Sequence, residues 1–136
     1  MRQVVLDTNA IISARLSPRG APARLVMNYV LTHRITTVTC PSVIHEHIEV
    51  IQRPKFARFG FPPPWLVDLV QQSVQLQEPP PWPHRLPDSK DAPFLQLAHA
   101  AGAWLVTGNL KHFPEEARHG VTVISPAEYL ARLEQE

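Results

Sequence analysis

The chain is predicted to be an α/β protein, a mainly parallel sheet covered by helices on both faces. Two observations carry that expectation. Short runs rich in apolar and β-branched residues, QVVL (3–6), ITTVTC (35–40), AWLVT (103–107) and VTVIS (121–125), alternate with segments whose apolar residues recur at helical spacing. Two of these runs stop on small polar residues, Asp7-Thr8-Asn9 and Thr107-Gly108-Asn109. A buried strand delivers side chains to the edge of a sheet in this way.

The elements follow in order. QVVL is the first strand, and AIISARL begins a helix after it. PARLVMNYVLTH (22–33) spaces Leu25, Val26, Tyr29, Val30 and His33 as one helical stripe, with Pro22 suited to the first turn. ITTVTC is a strand. PSVIHEHIEVIQR (41–53) is a helix with Ser42 as its expected N-cap, stopped by Pro54. PPPWLVDLVQQSVQL (62–76) is a helix with Trp65, Leu66, Leu69, Val70 and Val74 on its apolar side. DAPFLQLAHAAG (91–102) is a helix closed by Gly102, AWLVT a strand, VTVIS the last strand, and Pro126 opens the last helix. Crossovers between parallel strands are expected to be right-handed. Ligands of such sheets sit beyond the carboxyl ends of the strands, where strand order reverses.

With 136 residues, the chain is expected to form a single domain over 1–136. A net charge of +1 excludes a basic body, so contact with nucleic acid would rest on local patches. A lone cysteine, Cys40, has no internal partner, which suits a reducing cytoplasm, and it reads as a small buried residue. No apolar run approaches the ~18 residues of a membrane span, and the start carries no signal-peptide pattern. The expectation is therefore a cytoplasmic protein without a membrane anchor. Fifteen prolines, concentrated at 62–64 and in EPPPWPHRLP (78–87), read as stiff connectors. Trp65 and Trp82 serve either packing or a subunit interface.

Acidic residues stand where the strand rule directs attention. Asp7 ends the first strand, and Asn109 follows a later one. Asp91 lies three positions before Phe94 and seven before Ala98, which continues that helix's inward stripe. Asp88 lies upstream, facing solvent or standing behind the site. Glu46 shares a face with Val43 and Val50, whereas Glu49 neighbours His45, Gln52 and Arg53, so Glu46 is the better candidate for a half-buried carboxylate. His47, bracketed by Val43, Ile44, Val50 and Ile51, reads as a core histidine bonded to backbone, with metal ligation as the other reading. His45 and His47, two apart, point to different helix faces and do not form a His-Glu-x-x-His zinc motif. Singly, Asp7, Asp91 and Asn109 are also explained as turn or cap residues. Together they form a convergent set, and converging carboxylates repel unless a cation lies among them. Oxygen-only ligands favour Mg²⁺ or Mn²⁺.

Four blocks, VVLDTNAIISA, SVIHEHIEVIQRPKF, DSKDAPFLQLAHAAGAWLVTGNLKHFP and VTVISPAEYL, together resemble the PIN-domain proteins grouped as toxin components of bacterial and archaeal toxin–antitoxin pairs. The resemblance implies a three-layer α/β/α Rossmann-like sandwich, a metal-dependent ribonuclease site, a cognate antitoxin and a homodimer. Residue by residue it places Asp7, Glu46 and Asp91 at the family's acidic positions. Asn109 stands at the fourth, commonly an Asp, so one negative charge is missing. Asp7 and Asp91 are then the expected metal ligands, helped by Asn109. Thr8, Asn9, Thr107 and Asp88 would stand behind them, orienting carboxylates and waters.

The expected chemistry is phosphodiester hydrolysis in RNA with 5′-phosphate and 3′-hydroxyl ends, Glu46 positioning or deprotonating the attacking water. QRPKFARF (52–59) interleaves Arg53, Lys55 and Arg58 with Phe56 and Phe59. It is either an RNA-tracking edge or a solvated loop whose phenylalanines pack inward. Lys111 and His112 are weaker candidates for phosphate contact. A haloacid-dehalogenase-type phosphatase would need an Asp two residues after Asp7, where this chain has Asn9. A degenerate PIN domain that binds RNA or protein without cutting is the other alternative, favoured by Asn109.

Overall fold

The structure is a computed structural model that describes residues 2–136; Met1, the first residue of the 1–136 span read as one domain, lies outside the described residues. Among the described residues five strands, β1 (Gln3–Leu6), β2 (Thr36–Thr39), β3 (Val74–Gln75), β4 (Trp104–Val106) and β5 (Val123–Ile124), form one sheet in the order β3-β2-β1-β4-β5. Every neighbouring pair is parallel. Among the described residues six α-helices surround it: α1 (Thr8–Leu16), α2 (Ala21–Leu25), α3 (Pro41–Ile51), α4 (Trp65–Gln72), α5 (Ala92–Ala101) and α6 (Pro126–Glu134).

Strand alternation makes the layers. Val4 and Leu6 of β1, with Val106 and Ile124, pack against Ile11 of α1, Leu25 of α2, Leu69 of α4 and Leu130 of α6. Val5, with Leu105 and Val123, packs against Val43 of α3 and Phe94, Leu97 and Ala98 of α5. Helices therefore cover both faces of an all-parallel sheet, the α/β/α arrangement expected from the sequence. Trp65 packs against the first of these cores and Trp82 against the second.

Three sequence expectations are corrected locally. The cap of α3 is Cys40, not Ser42: Pro41 takes the first helical position, and the Ser42 amide donates to Glu78 Oε2 at 2.9 Å. A carboxylate from the proline-rich connector thus satisfies a free amide at the positive end of the helix. The 22–33 helix is α2 followed by a π-helical turn, Val26–Val30, in which the Leu31 amide reaches back to Val26 O. The 62–76 helix stops at Gln72, and Val74 lies in β3, paired with Val38. Ser73 turns the chain there: its hydroxyl donates to Leu69 O at 2.6 Å and pairs with the Thr37 hydroxyl beneath β2. Pro54 ends α3 as expected, but the residues after it form a 3-10 segment, Pro54–Phe59.

The chain runs from β1 outward to β2 and β3, then returns to β4 on the opposite side of β1 and continues to β5. Strand order reverses between β1 and β4, which places the carboxyl ends of those two strands side by side, Leu6 against Val106.

Candidate active site

Asp7 and Thr107 are the first residues beyond β1 and β4, and each extends its strand's ladder by one bond: Asp7 N donates to Val106 O, and Thr107 N to Ile124 O, both at 3.0 Å. The Thr107 hydroxyl, fully buried, donates to Asp7 Oδ2 at 2.7 Å and accepts the Asn109 amide at 3.0 Å. Asn9, in the first turn of α1, bridges the same two loops. Its Nδ2 donates to Asp7 Oδ2 at 3.1 Å, and its Oδ1 accepts the Gly108 amide at 3.2 Å. Oδ2 of Asp7 is thus fixed by two donors. Burial pushes the Asp7 carboxyl upward, against the lowering pull of the Thr107 hydroxyl and the Thr8 and Asn9 amides.

Asp91 stands at the start of α5 without capping it. Its pKa is raised to about 6, first by burial and next by the nearby charge of Asp7. Asp91 Oδ2 is buried with no aligned hydrogen-bond donor, although His112 Nδ1 lies 3.1 Å away. Glu46, half-buried on α3, is raised as well, first by burial, then by Glu49 and, more weakly, by Asp7. Glu49 is exposed and 3.7 Å from His45, so the choice of Glu46 over Glu49 from helical phase matches the burial seen.

A cleft of about 260 Å³ brings Asp7, Glu46, Asp91 and Asn109 together, with Asp88, Arg53, Lys90 and His112 also on its walls. Asp88 accepts the Lys90 amide at 2.9 Å and adds negative charge beside Asp91. Among the described residues no three His, Cys, Asp or Glu side chains are arranged to hold a metal ion. Asp7 and Asp91 fit such an ion as a pair: two partly desolvated carboxylates on one cleft, with a buried Asp91 Oδ2 that makes no well-aligned hydrogen bond and has only His112 Nδ1, at 3.1 Å, beside it. One or two carboxylates plus waters and substrate phosphate are the usual protein share of a Mg²⁺ site.

Other expected residues fall differently. Arg53 reaches the cleft, while Lys55 and Arg58 lie outside its walls, each over the ring beside it, Phe56 at 5.1 Å and Phe59 at 4.8 Å. Phe56 packs on Phe61, and Phe59 is exposed. The Thr8 hydroxyl turns away from the carboxylates and pairs with His47 Nδ1 at 2.7 Å; only its backbone amide serves Asp7. His47 is a core residue as expected, but its partner is that side chain and not backbone. Lys90 was not singled out from the sequence, and His112 only as a weaker candidate. Their signal was proximity in sequence to Asp91 and Asn109.

A family model described as a PIN domain matches residues 3–111. The chain belongs to the PIN-domain family. PIN domains form a superfamily of nucleases, generally dependent on divalent metal, and the match covers every acidic residue of the cleft. The crystal structure of PAE2754 from Pyrobaculum aerophilum is similar over 98% of this chain and 90% of that one, with a TM-score of 0.60 and 19% sequence identity. That likeness shows a shared fold that includes the residues beyond the family match. No protein of curated function matches the sequence significantly. Among the described residues of this PIN protein, no helix is long and apolar enough to cross a membrane.

Proposed function

We propose that the chain is a Mg²⁺- or Mn²⁺-dependent endoribonuclease folded as one domain over 1–136, the toxin of a type II toxin–antitoxin pair acting in the cytoplasm. The observation that carries the nuclease reading is the pair Asp7, at the strand-order reversal, and Asp91, at the start of α5, on one cleft wall, both pushed toward protonation by burial, with His112 Nδ1 at 3.1 Å as the neighbour of Asp91 Oδ2. Such a pair is stabilised by a cation in place of a proton. The toxin role, the antitoxin partner and the pairing of two copies rest on the four sequence blocks that resemble toxin components.

A cation held by Asp7 and Asp91 supplies an acidified water and charge neutralisation at the phosphate. The chain's own groups do the rest. Thr107 and Asn9 hold Asp7 Oδ2, leaving the other oxygen for the ion. Glu46, whose pKa is raised by burial, accepts the proton of the attacking water. Arg53 and Lys90 bind backbone phosphates beside the carboxylates, and the Asn109 amide orients water without adding charge.

The test is incubation of the purified chain with mixed RNA oligomers in Mn²⁺, in Mg²⁺ and in chelator. Cutting in either metal, absent in chelator and lost in Asp7→Asn, supports the reading. Cutting that persists in Asp7→Asn refutes the site. RNA binding without cutting in any metal favours a degenerate PIN domain, the reading that the missing charge at Asn109 supports.

A further inference from the structure

Next to the acidic cleft the chain carries cations that no carboxylate answers. From Val50 to Val67 there is no Asp or Glu, while Arg53, Lys55 and Arg58 stand within that stretch. Neither these three nor Arg15 of α1, which touches the same stretch, takes part in an ion pair among the described residues. In a chain whose net charge is only +1, this is a local excess.

The 3-10 segment Pro54–Phe59 puts that excess in order. At three residues per turn, side chains three apart stand one above the other. Lys55 and Arg58 therefore form one row and Phe56 and Phe59 the next, each cation over the ring that follows it, at 5.1 and 4.8 Å. Phe56 is held by Phe61 at 5.2 Å between centroids, whereas Phe59 is 42% exposed. The segment starts beside Arg53 on the cleft wall and is fastened at its far end, where Arg15 Nε donates to Phe59 O at 3.2 Å. Gly60 closes it at φ +75°, and a Cβ there would strike the Arg15 guanidinium. The rows form a fixed shelf leading away from the cleft.

We infer that single-stranded RNA leaving the cleft crosses this shelf, its phosphates on Arg53, Lys55 and Arg58 and one unpaired base stacked on the Arg58–Phe59 pair. The inference rests on RNA being the substrate proposed above. Charge on the shelf offsets the repulsion of a strand by the four carboxylates of the cleft, Asp7, Glu46, Asp88 and Asp91. A guanidinium lying on an aromatic ring offers a flat face to which any base can stack. Bases inside a duplex have no free face to give, so the shelf selects for strandedness and not for sequence.

Titration of single-stranded RNA oligomers of about 12 nucleotides into the full chain, in chelator and over a series of salt concentrations, tests this without cutting. Each oligomer carries the fluorescent base 2-aminopurine at one position. The expected result is saturable binding, with quenching confined to neighbouring positions. Lys55→Gln and Arg58→Gln are each expected to reduce the slope of log K against log salt by about 0.7, one phosphate contact on a single strand. Phe59→Leu is expected to abolish the quenching and weaken binding about five- to tenfold at unchanged slope, and Phe59→Trp to keep both. Unchanged slopes in the glutamine variants, unchanged quenching in Phe59→Leu, or a duplex bound as tightly as the single strand overturns the proposal. Binding of polyglutamate through Lys55 and Arg58 without binding of RNA also overturns it, because an acidic protein segment is then the occupant. Metal-dependent cutting that is lost in Asp7→Asn yet indifferent to Lys55, Arg58 and Phe59 removes this inference and leaves the nuclease reading. Binding with the expected slopes and quenching, but no cutting, does the reverse.

Discussion

The Thr107 hydroxyl and Asp7 Oδ2, 100 residues apart in sequence, lie 2.7 Å apart at the adjoining ends of β4 and β1. One oxygen of the carboxylate is thereby spoken for, and the other is left to a ligand. Thr107→Ala removes this donor and the acceptor of the Asn109 amide together. The expected loss is about 10- to 100-fold in cation affinity or hydrolysis, with Thr107→Ser recovering most of it. Equal activity in Thr107→Ala would show that the threonine does not orient the site.

Asp91 titrates at about 6 in the folded chain against 3.8 for the ordinary carboxyl. Between those values the folded state holds the additional proton, so stability contributed by this group falls as pH rises through the window. Asp91→Asn removes that cost. In chelator near neutral pH the variant is expected to melt above the parent, the gap closing once both states of Asp91 are protonated. Added Mg²⁺ is expected to raise the melting temperature of the parent and not of the variant. A variant that melts below the parent in chelator contradicts the assignment.

Asn109→Asp returns the charge this chain lacks. A further carboxylate on the cleft wall is expected to tighten Mn²⁺ binding about tenfold, a difference of ~1.4 kcal/mol, as isothermal titration calorimetry would read. Unchanged affinity would place the side chain out of reach of the ion.

His47 makes the opposite contribution to pH dependence. Its folded pKa of about 4 lies below the ordinary 6.5, so its stabilisation is complete above the higher value and is lost as pH falls toward the lower one. Thr8→Val keeps the shape of residue 8 and leaves His47 Nδ1 without its partner. Urea unfolding near neutral pH is expected to show a loss of about 1–3 kcal/mol. No loss would mean that the nitrogen is satisfied by water.

The layered sheet was legible because buried parallel strands need apolar runs, and four of the five show them. β3 was not: Val74 and Gln75 continue the helical phase of α4, and what breaks it is the turn at Ser73, bonded to Leu69 O and Thr37, and pairing with β2, a strand distant in sequence. Placement of the acidic residues followed from strand ends and helical phase, which are local. The partners of Thr8 and His47 were not readable, since a hydroxyl on α1 and a ring on α3 meet only when the two helices pack. Lys90 and Arg53 share a cleft wall for the same reason, whereas Lys55 and Arg58 differ from Arg53 in the sequence by nothing that marks their direction.

The proline-rich connector is fastened at its start and at its middle, Glu78 to the first turn of α3 and the Trp82 indole to Ala117 O at 3.1 Å. Prolines between and beyond these anchors have little backbone freedom to lose on ordering. A loop so tethered behaves as a strap across the body of the protein, and limited proteolysis should leave it uncut while the folded state lasts. Severing it would release the backbone that leads into Asp88 and Asp91, and the acidic cleft would open with it.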